Sequence, residues 1–599
     1  MVTKYALMNL SIRSLLTNPE KRSPLNMSLF SAKVLLNLFL FCAVLAHSQT
    51  PKSVFDSQGM VASRSAIASE VGAKILASGG NAIDAAVSVG FALAVTYPSA
   101  GNLGGGGFMV IRLADGQLIA NDHREKAPEK ATRDMYLDAK GEIVDGLSTK
   151  SHLASGVPGT VAGLIDVLKA YGSKELAEVI QPAIDLAKDG FILDEDLAGQ
   201  FNRRLESFLN YPASLKVFSV DGEPYEPGDR FSQPDLAGTL ERIKLAGKSG
   251  FYAGETADLI VAEMKNGGGI ISARDLEDYE SKWRRPIMGE YRGYKVISMP
   301  PPSSGGVLLT QMLNMLEPYE LGKLGAGSSE VIHLMIEAER RAYADRAEHL
   351  GDSDFYNVPI EMLTSKDYAR ERFADFDPNK ASVSADIFAG VAAREGLETT
   401  HVSVIDAMGN AVAYTTTLNL SYGSKIVVNG AGFLLNNEMD DFSAKENSPN
   451  AFGLLGRKAN AIEPGKRMLS SMTPTIVLKN EKPLLVTGSP GGSTIITTVL
   501  QIVSNVIDHE MNLAEAVSAA RFHHQWQPDR VIHEKTAFSD TTKVELAKMG
   551  HKNLNEVPAF YGGGIGDGNS VLSTDVGFQG MADPRNDGVA VGPSALKAD

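Results

Sequence analysis

Hydrophobic and polar positions change period several times along the chain. Residues 66–97, "AIASEVGAKILASGGNAIDAAVSVGFALAVTY", place small and apolar residues at helical spacing with a break at Gly79-Gly80, which predicts helix on both sides of a turn. "GNLGGGGFMVIRL" follows and reads as a glycine loop feeding a strand, and residues 159–190 read as helices with short connections. Residues 329–349, "SEVIHLMIEAERRAYADRAEH", combine apolar positions at helical spacing with many charges, the pattern of an amphipathic surface helix. Residues 385–398 have no clear period and read as a flexible stretch.

From Thr399 the period becomes two. "THVSVIDAMGNAVAYTTTLNL" alternates on both sides of "DAMGN", which predicts a β-hairpin. Centring its turn on Met408 sets Thr417 opposite Thr399 in the antiparallel register. Further strand-like runs fall at Thr475–Leu478 and Pro483–Thr487, followed by a helix over Ser493–Asp508.

At the N-terminus, Lys21, Arg22 and Lys33 precede the apolar run "VLLNLFLFCAVLA" and the small-x-small triplet Ala46-His47-Ser48. This is the pattern of a cleaved export signal over residues 1–48, with Met27 as an alternative start. The run is shorter than the roughly 20 residues that span a bilayer, so a retained anchor is the less favoured alternative. Phe41 stands where a lipoprotein signal before Cys42 wants a small residue.

Composition narrows the class. With 43% hydrophobic and 22% charged residues over 599 positions, the chain is neither disordered nor collagen-like. Cys42 is the only cysteine, so a chain cut after Ser48 has no disulfide and no thiol nucleophile. The formal charge of −15 becomes −19 once residues 1–48, with five basic residues and one acidic, are removed. Such a chain is a poor partner for nucleic acid or anionic lipid.

The glycine clusters "GGGGF" (104–108) and "TGSPGGS" (487–493) lack the Lys-Ser/Thr of a phosphate loop. Tight turns explain both. The second also suits two backbone N–H groups aimed together ahead of a helix, as an oxyanion hole requires. "HHQW" (523–526) has no third ligand at metal-site spacing, and adjacent strand histidines face opposite ways, so a structural role is favoured. "KRMLSSMTPT" (466–475) has adjacent serines but no nucleophile elbow, leaving them as hydrogen-bond donors. Thr399 admits two readings. It is an ordinary strand threonine, the commoner case on pattern alone, or it is exposed by a cut after Glu398. In the second case its α-amine, with a pKa of roughly 7.7–8.0, sits beside its own hydroxyl, and one residue supplies nucleophile and base.

"LETTHVSVID", "TTTLN", "LLNNEMDDFSAK", "RMLSSMTPTIV", "VTGSPGGSTIITTVLQ" and "RFHHQW" together resemble the small subunit of the γ-glutamyltransferases. "GGNAIDAAVSVGFALAVTYPSAGNLGGGGFM", "DHREKAP", "SGVPGTVAGL", "PPPSSGG" and "EAERRAYADRAEHLGDSDF" resemble the large subunit. The resemblance runs from about residue 52 to "ADPRNDG" near 588. It implies an α+β fold of N-terminal-nucleophile hydrolase type: a four-layer αββα sandwich, two stacked antiparallel sheets flanked by helices. It also implies autocleavage between Glu398 and Thr399 into a large subunit (49–398) and a small one (399–599) that remain one intertwined domain. By motif position Thr399 is the nucleophile, Thr417 assists it, and Gly491 and Gly492 form the oxyanion hole. Arg124 takes the donor's α-carboxylate with Ser470 and Ser471, while Asn419, Glu438 and Asp441 surround its α-amine. These types fit a γ-glutamyl group, whose zwitterionic α-carbon needs a guanidinium for one charge and acids for the other. The implied substrates are glutathione and other γ-glutamyl compounds, with water, amino acids or peptides as acceptors, and no metal or organic cofactor. One departure is Phe452, in the segment resembling a lid loop, where tyrosine is common. The alternatives are a glutaryl β-lactam acylase of the same superfamily and an uncleaved, inactive binding protein.

Overall fold

In the computed structural model, residues 52–387, 399–446, 448–451, 453–557 and 564–597 are described. The export signal, Glu398 and Phe452 lie outside them. Two seven-stranded sheets dominate, and every strand pair within them is antiparallel. One runs in the order 54–56, 577–581, 570–574, 482–487, 475–479, 294–298, 287–291. The other runs 589–591, 59–63, 400–406, 411–417, 106–112, 118–123, 282–284.

The strands are apolar on both faces because each sheet is covered twice. Phe108, Val110, Ile405 and Ala413 of one sheet meet Ile297, Ile476 and Val486 of the other in a shared core. Their sequence neighbours Met109, Ile111, Val402, Val404 and Val412 point the other way, into the helices Ala66–Ala77, Ala82–Thr96 and Thr160–Tyr171. Val477 and Leu485 pack outward against the helices Gly305–Leu316, Ser329–His349 and Thr494–Ile507. The period of two therefore sorts one strand into two cores, and the result is the αββα order the sequence resemblance implies.

The hairpin forms in the expected register: Thr400 pairs with Thr416 and Val404 with Val412. Extended by one residue, it sets Thr399 opposite Thr417. The sheet holding the hairpin mixes strands from before and after residue 399, as does the other.

The helix Ser329–His349 corrects the sequence reading. It is not a surface helix, since nearly every one of its 21 residues is buried. Several of its charges are matched by partners instead of solvated. Glu337 pairs with Arg340 and Arg341 on the same helix, Arg341 reaches Asp375, Arg340 reaches Asp529, and Asp345 pairs with Arg372. Buried charge survives only where partners and hydrogen bonds replace water.

Candidate active site

Thr399 immediately precedes the strand Thr400–Asp406, at one edge of a cavity with about 280 Å³ of empty space. Its hydroxyl lies 3.5 Å from that of Thr417, the last residue of the paired strand. The Thr417 hydroxyl accepts the Asn419 N–H at 2.8 Å. Its carbonyl accepts from the Asn102 side chain at 2.8 Å, and Asn102 in turn accepts the Gly105 N–H. A side chain on Gly105 would put a Cβ 2.1 Å from that carbonyl. "GGGGF" is thus glycine-rich because backbone packs on backbone behind Thr417, not to cradle a phosphate.

Gly491 and Gly492 adopt φ of +132° and +54° just ahead of the helix Thr494–Ile507. Gly492 lines the cavity. Their carbonyls accept from Thr494 and Ile495. Both glycines stand just ahead of a helix N-terminus, where anions are favoured.

The same cavity holds Arg124, Asn419, Glu438, Asp441, Ser470 and Ser471, so the structure brings together nine of the ten residues named from sequence, with Gly491 next in the chain to Gly492. Arg124 is completely buried and bonds to Glu438 and Asp441. Glu125 stands 3.6 Å from the same guanidinium. Burial disfavours the Arg124 charge, but Glu438, Glu125 and Asp441 outweigh it and hold its pKa above the ordinary value. Burial pushes the carboxyls the other way: Glu125 up to about 7, Glu438 well up, and Asp441 up, each offset in part by Arg124. Two buried acceptors in the cavity, Asn419 Oδ1 and Glu438 Oε2, receive no N–H or hydroxyl from the described residues, and the Glu125 carboxyl lies within hydrogen-bond reach of Glu438. An orphaned buried acceptor is costly, and an ammonium ion, with three donors and no acceptor, is the kind of group such atoms lack.

Sequence reasoning missed Glu125, which lies in the quoted "DHREKAP", and Arg346, which lines the cavity from the buried helix. Neither has a distinguishing local pattern. Each resembles an ordinary surface charge until its long-range neighbours are known. "HHQW" sits behind the Gly491–Gly492 turn: the side-chain Oε1 of Gln525 accepts from the Ser493 hydroxyl at 2.8 Å, and His523 meets Thr497 at 2.9 Å. Burial lowers His523 to about 3 and His524 to about 4, so both are neutral near pH 7. His333, Glu337 and His551 have the composition of a metal cluster. The histidines hydrogen-bond each other at 2.8 Å, however, and two arginines occupy Glu337.

The sequence model described as gamma-glutamyltranspeptidase matches residues 68–593. The glutathione hydrolase proenzyme of Escherichia coli (strain K12) is 51% identical over 532 residues, 88% of this chain and 90% of that one. Cephalosporin acylase from Bacillus halodurans superposes with a TM-score of 0.79 at 27% identity, over 90% of this chain and 96% of its own. A chain of Helicobacter pylori gamma-glutamyltranspeptidase is 51% identical with a TM-score of 0.53, covering 54% of this chain and 92% of that chain. With a match that extends over most of its length and a close full-length relative, the chain belongs to the gamma-glutamyltranspeptidase family.

Proposed function

We propose that the protein is a γ-glutamyltransferase and glutathione hydrolase that matures by cutting itself before Thr399. The observation that carries this reading is the pairing, in one cavity with Thr399, of a buried guanidinium with two orphaned acceptors, Asn419 Oδ1 and Glu438 Oε2. That arrangement complements the carboxylate and ammonium of a γ-glutamyl α-carbon. A donor zwitterion exchanges ion pairs with the cluster: its carboxylate takes Arg124, and its ammonium takes the carboxylates that Arg124 releases.

Maturation begins when the Thr399 hydroxyl attacks the Glu398 carbonyl. The C–N bond breaks, the acyl group moves to Oγ1 as an ester, and Thr399 gains a free amine. Water opens the ester and leaves Glu398 with a carboxylate. In turnover the amine, directly or through a water, takes the Thr399 proton as Oγ1 attacks the donor's γ-carbonyl. The N–H groups of Gly491 and Gly492 stabilise the oxyanion, and Thr417 orients the nucleophile. The amine leaving group takes the proton. Water or an acceptor amine then resolves the γ-glutamyl ester.

The subunits 49–398 and 399–599 stay together, because both sheets draw strands from each side of the cut. The relative named as a proenzyme, and a solved family chain spanning 54% of this one, support the division. The protein is exported to the periplasm or beyond. No helix among the described residues is long and apolar enough to cross a membrane.

The acylase alternative draws on the likeness to a cephalosporin acylase. A glutaryl group has no ammonium, so it leaves Asn419 Oδ1 and Glu438 Oε2 unmatched. One experiment tests the reading. Purified protein is resolved on a denaturing gel, its chains are weighed by mass spectrometry, and turnover is compared on glutathione and on a glutaryl amide. Two chains with a new N-terminus at Thr399, and preference for glutathione, are expected. A single chain, a cut before residue 399 that persists in Thr399→Ala, or preference for the glutaryl amide overturns the reading.

A further inference from the structure

Arg346 is a buried guanidinium with no ion pair among the described residues. It retains 5% of its surface exposed, and it lines the Thr399 cavity. Every other arginine singled out on its helix has a carboxylate: Arg340 has Glu337 and Asp529, and Arg341 has Glu337 and Asp375. Arg346 instead donates to two hydroxyls. Its Nε bonds to Ser304 Oγ at 3.0 Å, and its Nη2 bonds to Ser471 Oγ at 3.3 Å. The Ser304 hydroxyl in turn donates a hydrogen bond to the Ser470 carbonyl at 2.8 Å. One guanidinium thus fixes both members of the serine pair, one through its hydroxyl and the other through its backbone.

The direction of these bonds decides what Ser471 can do. Arginine only donates, so Ser471 Oγ accepts from it, and its own proton is left to point elsewhere. No other hydrogen bond of that hydroxyl competes among the described residues. The remaining direction is the cavity that Ser471 lines. An uncompensated buried cation is also unfavourable. Burial lowers Arg346 to about 10, against the attraction of Tyr343 and Asp441. It stays charged at neutral pH, and an anion entering the cavity would compensate it.

We propose that Arg346 is a positioning residue for the donor's α-carboxylate: it turns the Ser471 hydroxyl toward that carboxylate and supplies a second positive charge behind it. The inference rests on the proposed function, and it places recognition of one substrate group on the large subunit's central buried helix. Arg124 would then bind the carboxylate directly, while Arg346 acts through the serine pair.

The test compares two donors on the processed enzyme: a γ-glutamyl anilide, and the same anilide with its α-carboxylate converted to a carboxamide. In Arg346→Gln, KM for the carboxylate donor is expected to rise about ten-fold with kcat little changed, because the Ser471 hydroxyl loses its orientation and the carboxylate loses the positive charge behind it. KM for the carboxamide donor is expected to change less than about two-fold. Arg346→Lys should recover part of the loss. Ser304→Ala, which removes only the hydroxyl that holds Nε, should raise KM for the carboxylate donor about three-fold or more, and it decides by the same ratio if Arg346→Gln is not processed. Equal losses on both donors, a fall in kcat alone, or an unchanged KM overturns the inference and leaves Arg346 as packing. Wild-type enzyme that turns over neither γ-glutamyl donor overturns the functional reading, and this inference with it.

Discussion

Arg124 shows how much a single position carries. It is completely buried among three carboxylates, so truncation to alanine would leave buried charge unpaired, at about 3–5 kcal/mol. That would confuse binding with folding. Arg124→Lys keeps the charge but loses the planar fork that meets Glu438 and Asp441. Losing one charge-assisted hydrogen bond costs roughly 1.5–3 kcal/mol, about ten- to a hundred-fold in binding. KM for every γ-glutamyl donor should therefore rise by that order, with little dependence on acceptor and with both subunit bands unchanged. Equal damage to processing would assign Arg124 to structure. Glu438→Gln gives a complementary test. It removes a carboxyl that the proposed function sets against the donor ammonium, so KM for glutathione should rise about ten-fold, while a glutaryl amide, which has no ammonium, should bind no worse. Parallel losses on both substrates would remove Glu438 from ammonium recognition.

Among the elements, the hairpin was legible and the long buried helix was not. "DAMGN" fixes the turn, and turn chemistry plus a period of two fixes the register, so Thr417 could be set opposite Thr399 by counting. The two hydroxyls end 3.5 Å apart, and that of Thr417 is anchored by the Asn419 N–H. Thr417→Ala should slow both self-cleavage and turnover by about ten-fold, the worth of one orienting hydrogen bond, with the fold intact. Band intensities over time and kcat measure the two rates, and normal values for both would remove Thr417 from the site. The helix Ser329–His349 failed as a sequence reading because local pattern reports charge, not who answers it. Glu337 with Arg341 looks like a solvated pair four residues apart, yet both are buried. The partners Asp375 and Asp529 lie far along the chain, and Ser471, which meets Arg346, is 125 residues away. That Arg124, Asn419, Glu438, Asp441, Ser470 and Ser471 would gather at Thr399 was legible by resemblance of their motifs. Glu125 was not, because nothing in "DHREKAP" separates a buried acid from an exposed one.

At the scale of the molecule, two helix layers over two doubly covered sheets bury many titratable groups, and these divide into opposing sets. His123, His401, His523 and His551 are lowered by burial to about 3. A histidine held neutral stabilises the fold above its unfolded pKa near 6.5, and that stability is lost as pH falls. Asp440 and Asp567 are raised by burial to about 6 and about 7, as Glu125 is to about 7. A carboxyl held neutral contributes fully below its unfolded pKa near 4, and that contribution is lost as pH rises through 6 to 7. Between pH 4 and 6.5 the two sets oppose each other, so the wild-type stability curve alone assigns nothing. Above pH 6.5 only the carboxyls still titrate, and stability without donor should decline. Asp440 isolates one member. Its two oxygens accept from Ser148 at 2.6 Å and from the Ala451 N–H at 2.8 Å; Asn keeps the second through Oδ1, and its Nδ2 can donate to the Ser148 hydroxyl once that hydroxyl turns to accept. Its shift from 3.8 to about 6 corresponds to roughly 3 kcal/mol between pH 4 and 7. Relative to wild type, Asp440→Asn should therefore gain stability of that order as pH rises across the window. Urea unfolding of both proteins at pH 4.5, 5.5, 6.5 and 7.5 measures the difference. A constant offset across the four values would mean that Asp440 is ionised in the fold and that burial beneath the 448–451 segment does not hold its proton.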